Sequence, residues 1–425
     1  METINYQTLQ ETLYYEEMAN GLKVYLLPKK GFSKTYGLFS THFGSVDTTF
    51  VPLGENEMIT VPDGIAHFLE HKMFEMQDGD ASEKFAQLGA STNAFTSSSR
   101  TAYLFNTTSH ENECVELLLD FVQDIYLTDQ TVEKEKGIIN QEIGMYDDDP
   151  DWRCYFGSIQ NLYQKHPVKI DIAGTVETVN EIDKDILEKC YQTFYHPSNM
   201  MLFVVGNIQV EDTIQLIRNN QAKKHFDKEK QIQREITKEP QGIDKKEDIL
   251  HMDVIMPKVI VSMKINDILS EPKEKLKREL GMNILLDLLF SKSSPLFEEW
   301  TRLELLMIVL VLILPKKEII LSCKLWRHYG TRKLRDKILD LIHSIKDYAI
   351  DDVEFQRVQK KNIGVLIGVF NSPEGIANLF SRYYFEGIMI FDLIDCVATL
   401  KKEDIENLKA LFDIDLTSTC MVKAK

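Results

Sequence analysis

The sequence predicts an α+β chain made of two similar domains, each a sheet covered by helices. Three observations carry this. Strand-like segments precede helical ones in the same order in both halves of the chain. A charged, poorly periodic stretch, Gln221–Asp248, lies between the halves. And 425 residues are enough for two or three domains, each with a core of its own. The expected boundaries are therefore 1–220, a linker at 221–248, and 249–425. The order of elements suggests duplication of one unit, although identity between the halves is too low to show it from the sequence alone.

The first half opens with Gly21-Leu-Lys-Val-Tyr-Leu-Leu27, an alternating strand, and Lys34–Phe43 reads as another. A helix around His67 follows, then a strand over Asn93–Phe105 and a helix over Glu111–Tyr126. A long acidic helical tract carries Glu135 and Glu142, and Met200-Met-Leu-Phe-Val-Val-Gly206 is a buried-type strand that closes the half. The second half restarts with the strand Val259–Ile265. Helices are expected near Leu276–Leu289, over Lys333–Tyr348 and from Asp351 to about Glu386.

His67-Phe-Leu-Glu70-His71 is the stretch richest in chemistry. At about 100° per residue the second histidine lies roughly 40° from the first, and the glutamate roughly 60° to the other side. Two neutral imidazoles so spaced can grip one zinc ion, and the carboxylate beside them can take a proton from a water the metal has acidified. This is the inverted form, H-x-x-E-H, of the H-E-x-x-H protease helix. The bland alternative is a chance pentapeptide on an amphipathic helix. Against it, Asp63-Gly64 supplies a helix start and Ile65, Phe68 and Leu69 an apolar face. Glu135 and Glu142 are about two turns apart and project from one face. One can complete a zinc shell, and the other can accept the free N–H of a ligand histidine. Gly137, Ile138 and Ile139 between them argue that this helix is more than a solvated surface.

With these residues in place, the chain resembles the insulinase/pitrilysin family of zinc metallopeptidases, the inverzincins. It is most similar to that family's small bacterial paired peptidases of the Bacillus YmfH type. Gly64-Ile-Ala-His-Phe-Leu-Glu-His-Lys-Met-Phe-Glu75 resembles the family's helix core. Gly89-Ala-Ser-Thr-Asn93-Ala-Phe-Thr96 resembles its strand, and Phe194-Tyr-His-Pro-Ser-Asn199 its junction. Tyr146-Asp-Asp-Asp-Pro-Asp-Trp152 and His166-Pro-Val-Lys-Ile-Asp-Ile-Ala-Gly-Thr175 are similar to the bacterial subgroup. The resemblance implies one Zn2+ per chain held by His67, His71 and Glu142, with Glu70 as general base and Glu135 supporting a ligand histidine. It implies two similar α/β-sandwich domains forming half of a clamshell metallopeptidase. Residues 1–220 would be the catalytic domain and 249–425 a non-catalytic one. An extended peptide would add to the strand carrying Asn93, Ala94 and Phe95, with Ser97-Ser98-Ser99 suiting an accessible edge. The expected partner is a second family member, or a second copy, closing the chamber. The alternative is a catalytically impaired or non-catalytic partner subunit.

A net charge of −17 disfavours nucleic acid and anionic membrane surfaces, and suits cationic peptides or plain solubility. The six cysteines have no paired spacing that would indicate a disulfide framework or a thiolate zinc site. No charged-then-apolar signal segment opens the chain, and the longest apolar run, Leu305–Leu314, is about half of a membrane span. A cytoplasmic enzyme is the expectation.

One tract departs from the family pattern. After Ser294-Pro-Leu-Phe297 the family carries a glycine turn and a strand, often with a substrate-contacting arginine and tyrosine; here Thr301 and Ile308 stand in their places. One codon choice for Leu303–Ile313, read two nucleotides along, gives Gly-Ile-Ile-Asp-Asp-Ser-Phe-Ser-Phe-Asp-Phe, which restores the glycine and an alternating strand. The hypothesis is that Trp300–Gly330 is frameshifted, with the family frame resuming at Thr331-Arg-Lys-Leu-Arg335; the alternative is a genuine buried strand pair. A peptide mass map over Trp300–Gly330 is expected to return masses of the alternative frame. Peptides of the sequence as it stands would end the idea.

Overall fold

The unbroken apolar run Met200–Gly206 is buried throughout and forms the centre of the larger of two main sheets. The computed structural model describes residues 1–226, 231–303, 308–314, 318–324 and 331–425. In the first sheet the strands are β1 (Glu2–Tyr6), β2 (Glu11–Glu17), β3 (Lys23–Pro28), β4 (Thr35–Thr41), β5 (Ser91–Thr96), β6 (Thr101–Thr107) and β7 (Met200–Gly206). Their spatial order is β1-β2-β3-β7-β4-β6-β5. Every residue of β4 and β7 is buried, whereas β5, at the edge, is mostly half-exposed. The second sheet has β8 (Glu247–Met252), β9 (Lys258–Lys264), β10 (Ile308–Leu314), β11 (Glu318–Lys324) and β12 (Thr417–Ala424), in the order β8-β12-β9-β11-β10.

The two sheets repeat one topology. In the first, β3 runs parallel to β7, β7 pairs antiparallel with β4, and β4 with the hairpin β6-β5. In the second, β8 runs parallel to β12, β12 antiparallel to β9, and β9 to the hairpin β11-β10. The repeat hinted at by element order is thus present in five strands of each sheet, with β1 and β2 added to the first.

The chain divides into two compact units that are not the contiguous halves read from composition. One comprises 1–143, 170–236 and 368–386; the other comprises 144–169, 237–367 and 387–425. Each unit takes in a helix encoded among the other's residues, because the apolar stripe of that helix fits its sheet. In the first unit Phe380, on the helix Pro373–Tyr384, stacks on Phe203 of β7 at 4.3 Å between centroids. In the second, Cys154, Ile159 and Leu162 of the helix Pro150–Leu162 pack with Ile260, Cys420 and Val422.

Two expected elements are broken in two. The strand over Asn93–Phe105 is a hairpin: Ser97 N–H donates to Arg100 O at 2.8 Å, and Ser97 Oγ accepts from Arg100 N at 3.2 Å. Serines favour such local side-chain-to-backbone bonds in turns. Of these two strands β5 is the edge, while Thr101, Ala102 and Tyr103 of β6 are fully buried. The helical tract Asp351–Glu386 breaks into Asp352–Val369 and Pro373–Tyr384. Pro373 has no N–H for the preceding turn, and Ser372, extended, caps the new helix through Gly375 N at 3.1 Å. Of Trp300–Gly330, residues 304–307, 315–317 and 325–330 lie outside the described residues, and so does most of the question of reading frame. The backbone of 308–314 and 318–324 forms the β10-β11 pair.

The stretch expected as a linker contributes to both units. Arg234 Nε donates to Asp47 at 2.8 Å in the first. In the second, Glu239 accepts from the backbone N–H groups of Gln164, Lys165 and His166 at 2.7–2.9 Å and from Lys264 Nζ at 2.9 Å. The Lys264 and Glu239 side chains are only 2% and 4% exposed. Burial alone would raise the Glu239 carboxyl, but these donors outweigh it and hold it at about 2. A folded-state value below the ordinary 4.5 means stability that is present above pH 4.5 and lost as pH falls towards 2. Glu239→Gln is expected to cost roughly 3–5 kcal/mol, because Lys264 is left charged and buried. It should also flatten the acid limb of the stability curve, which denaturant unfolding at a series of pH values would measure.

Candidate metal centre

A helix that starts on a left-handed glycine brings the two histidines to the centre of the first unit. Helix α1 spans Ile65–Met73 and is preceded by Gly64 at φ 90°. A Cβ at Gly64 would come within 2.4 Å of Ala173 O, so the entry to α1 requires glycine. Ile65, Ala66, Phe68, Leu69 and Met73 are buried and set the helix rotation. His67 and Glu70 then face one side with His71. Helix α2, Asp129–Asp148, buries Val132, Ile139 and Ile143, which turns Glu135 and Glu142 towards α1.

The geometry fits a metal ion. One ligand atom each from His67, His71 and Glu142 lie within 4.8 Å of one another. His67 Nε2 is 3.6 Å and His71 Nε2 3.4 Å from Glu142 Oε2. Ligands at zinc bond lengths on a tetrahedron sit roughly 3.3 Å apart, so neither separation needs more than a few tenths of an ångström of adjustment. His71 Nδ1 lies 2.9 Å from Glu135 Oε1, a hydrogen bond that leaves Nε2 as the lone-pair nitrogen. Burial, then the nearby His71, lower the His67 imidazole to about 4, so it is neutral at neutral pH, as a ligand must be. Burial also pulls His71 down, but the hydrogen bond to Glu135 and the surrounding carboxylates raise it on balance. The pocket thus holds two imidazoles against the carboxyls of Glu70, Glu135 and Glu142, a set whose negative charge a divalent cation offsets.

Glu70 stands beside this set. Its Oε2 accepts a hydrogen bond from Thr96 Oγ1 of β5 at 2.6 Å. Burial raises its pKa, with Thr96 and His71 opposing and Glu142 adding to the rise. Behind it the hydroxyls of Tyr103 and Tyr195 bond at 2.7 Å, both fully enclosed.

The structure therefore brings His67, Glu70, His71, Glu135 and Glu142 into one pocket. Asn93, Ala94 and Phe95 lie on the edge strand β5, where Ala94 N–H is held by Asn93 Oδ1 at 2.9 Å. Sequence reasoning gave Thr96 no role of its own and missed Arg100, Tyr103 and Tyr195. Strand alternation could have found Thr96, because it shares the α1 face of β5 with Ala94.

Comparison with known proteins agrees with the geometry. Residues 56–176 match the insulinase family, peptidase family M16, and residues 181–306 match the peptidase M16 inactive domain. The uncharacterized zinc protease YmfH of Bacillus subtilis is 47% identical over 440 residues, covering 100% of both chains. The uncharacterized zinc protease YmxG of the same organism is 31% identical over 150 residues, 34% of this chain and 37% of its own. A crystal structure described as an M16-like peptidase, from Alicyclobacillus acidocaldarius, superposes with a TM-score of 0.91 at 33% identity, over 98% of this chain and 99% of that one. The first half of the periplasmic protease PqqL from Escherichia coli shares the fold, with a TM-score of 0.75 at 15% identity over 100% and 94%.

Glu142 and Glu135 should separate under substitution. Glu142→Gln replaces an anionic oxygen pointing at both imidazoles and is expected to abolish tight zinc binding. Glu135→Gln should weaken it only about 10 to 100-fold, by loosening His71. Zinc titration against a competing chelator measures both; loss in the Glu135 variant and retention in the Glu142 variant would reverse the roles.

Proposed function

The chain belongs to the insulinase family of peptidases, family M16, and from that premise we propose that it hydrolyses peptides at the His67–Glu70–His71–Glu142 centre. The observation that carries this is the pairing of a three-ligand cluster with an adjacent carboxylate that is tied to a hydroxyl. A structural zinc site is usually closed by four protein ligands, and Glu70 would have no task in one. Zinc held by His67, His71 and Glu142 would supply Lewis acidity, acidifying water and polarising the scissile carbonyl. Glu135 fixes the tautomer and orientation of His71. Thr96 holds one oxygen of Glu70, so the other is aimed to take the proton of the attacking water. Glu70 then returns that proton to the leaving amine, one carboxylate serving as base and then acid. An extended peptide adds to β5 beside Asn93, Ala94 and Phe95, held by main-chain hydrogen bonds.

Residues 1–220 carry the catalytic role in this reading and 249–425 a supporting one. The substrates are peptides or small unfolded proteins cut internally. Catalysis gains from excluding bulk water around the centre, so a second wall is expected from a related chain, or from a second copy. No single helix among the described residues is long and apolar enough to cross a membrane. We place the enzyme in the cytoplasm, in keeping with free thiols at Cys114, Cys154, Cys190, Cys396 and Cys420. A non-catalytic partner subunit is the second reading; the match of 181–306 to an inactive domain, with Thr301 and Ile308 just beyond or within its end, favours it.

Glu70→Gln decides between the two. It should retain zinc and peptide while lowering turnover by about 10² to 10⁴-fold. Turnover is read on a fluorogenic peptide, with the chain alone and co-expressed with a relative, and zinc by mass spectrometry. Equal activity in parent and variant removes Glu70 from the mechanism.

A further inference from the structure

Beside the edge strand lies a cation whose buried donor has no acceptor. Arg100 closes the β5-β6 turn, its carbonyl accepting from Ser97 N at 2.8 Å and from Ser97 Oγ at 3.0 Å. The turn fixes it just beyond Thr96, the residue that holds Glu70. Its guanidinium carbon sits 5.2 Å from the centroid of the Phe95 ring. Its Nε is buried with no hydrogen-bond partner. Burial, and then the like charge of Arg382, bring its pKa down to about 10, with Glu386 opposing, so it is cationic at neutral pH. A buried guanidinium donor left unmatched carries a desolvation cost, and the neighbouring Arg382 adds repulsion; a carboxylate arriving beside the guanidinium offsets both through its charge.

Strand alternation says where such a carboxylate would come from. Thr96 reaches Glu70, so Thr96 and Ala94 lie on the α1 face of β5, and Asn93 and Phe95 on the opposite face. Arg100, over the Phe95 ring, shares that opposite face. The side chains of a peptide added along β5 alternate in the same way, one set towards the metal centre and the other towards Phe95 and Arg100. We propose that Arg100, stacked on Phe95, determines specificity by receiving the carboxylate of an Asp or Glu in an extended peptide laid along β5. This rests on the peptidase reading and deepens it to peptides with an acidic residue near the cleaved bond. The chain's net charge of −17 does not oppose it. That field is screened beyond about 10 Å, and at contact the local guanidinium decides.

The test is binding to the full chain carrying Glu70→Gln, read by fluorescence anisotropy. Pairs of labelled extended peptides differ only in Glu or Gln at one position, scanned along the peptide. At one register Glu should bind roughly tenfold tighter than Gln, a ratio that falls with added salt. Arg100→Gln should bring that ratio close to one, and Arg100→Lys should keep part of it. The salt dependence of the ratio tests the same charge without any change at Arg100, should the variants misfold. Equal binding of Glu and Gln peptides at every position, no binding of either, or a preference that survives Arg100→Gln each overturn the inference. A Glu preference in binding, with no cleavage by the unaltered chain, leaves it standing and removes the peptidase reading instead. Cleavage without the preference does the reverse.

Discussion

Two imidazoles and three carboxyls sharing one partly buried pocket are the constraint on which the rest of the first unit depends. Groups of like charge held this close in a medium of reduced dielectric destabilise one another unless a cation joins them or protons neutralise them. The scaffold that imposes the arrangement is closely packed at three points. Gly64 admits α1 against Ala173 O, α2 buries Val132, Ile139 and Ile143 along the stripe next to its carboxylates, and β5 offers Thr96 to Glu70. Each of these is ordinary packing or turn chemistry, and together they hold an arrangement that the charges alone would disperse.

The second unit shows what the same topology looks like without that constraint. Its strand order repeats that of the first, and its hairpin β10-β11 occupies the place of β5-β6. The helix that follows β9, Pro272–Phe290, is filled with Leu280, Met282, Ile284, Leu285, Leu286, Leu288 and Leu289, all buried, and has no histidine. Its charged pair, Lys264 with Glu239, is matched one to one and satisfied by backbone donors, a structural use of ions rather than a chemical one.

Much of the site was legible in the sequence, because helix periodicity alone puts His67, Glu70 and His71 on one arc and Glu135 and Glu142 on another. What periodicity could not supply was the partner of each group. That Glu135 meets His71 and not His67, or that Thr96 meets Glu70, depends on how α1, α2 and β5 pack, and nothing local encodes it. The Asn93–Phe105 hairpin was hidden because a polar serine run looks the same in an exposed edge and in a turn. The break before Pro373 was written plainly in the proline, yet apolar spacing on either side ran through it. Edge and interior strands, by contrast, were separable: Met200–Gly206 is apolar without interruption and lies at the sheet's centre.

The exchanged helices bear on how such a chain can evolve and be dissected. Because Pro373–Tyr384 covers β7 and Pro150–Leu162 covers the second sheet, the gene has no point at which one cut yields two self-sufficient pieces. A fragment stopping at residue 220 would bare Phe203 and Tyr25, whose rings lie 4.3 and 5.0 Å from Phe380. It would also keep Cys154, Ile159 and Leu162 with no sheet to bury them. The two units repeat one strand topology, and each is completed by a helix from the other's stretch of sequence. The stretch of sequence without the metal centre thereby supplies a helix that covers the sheet of the unit that has it.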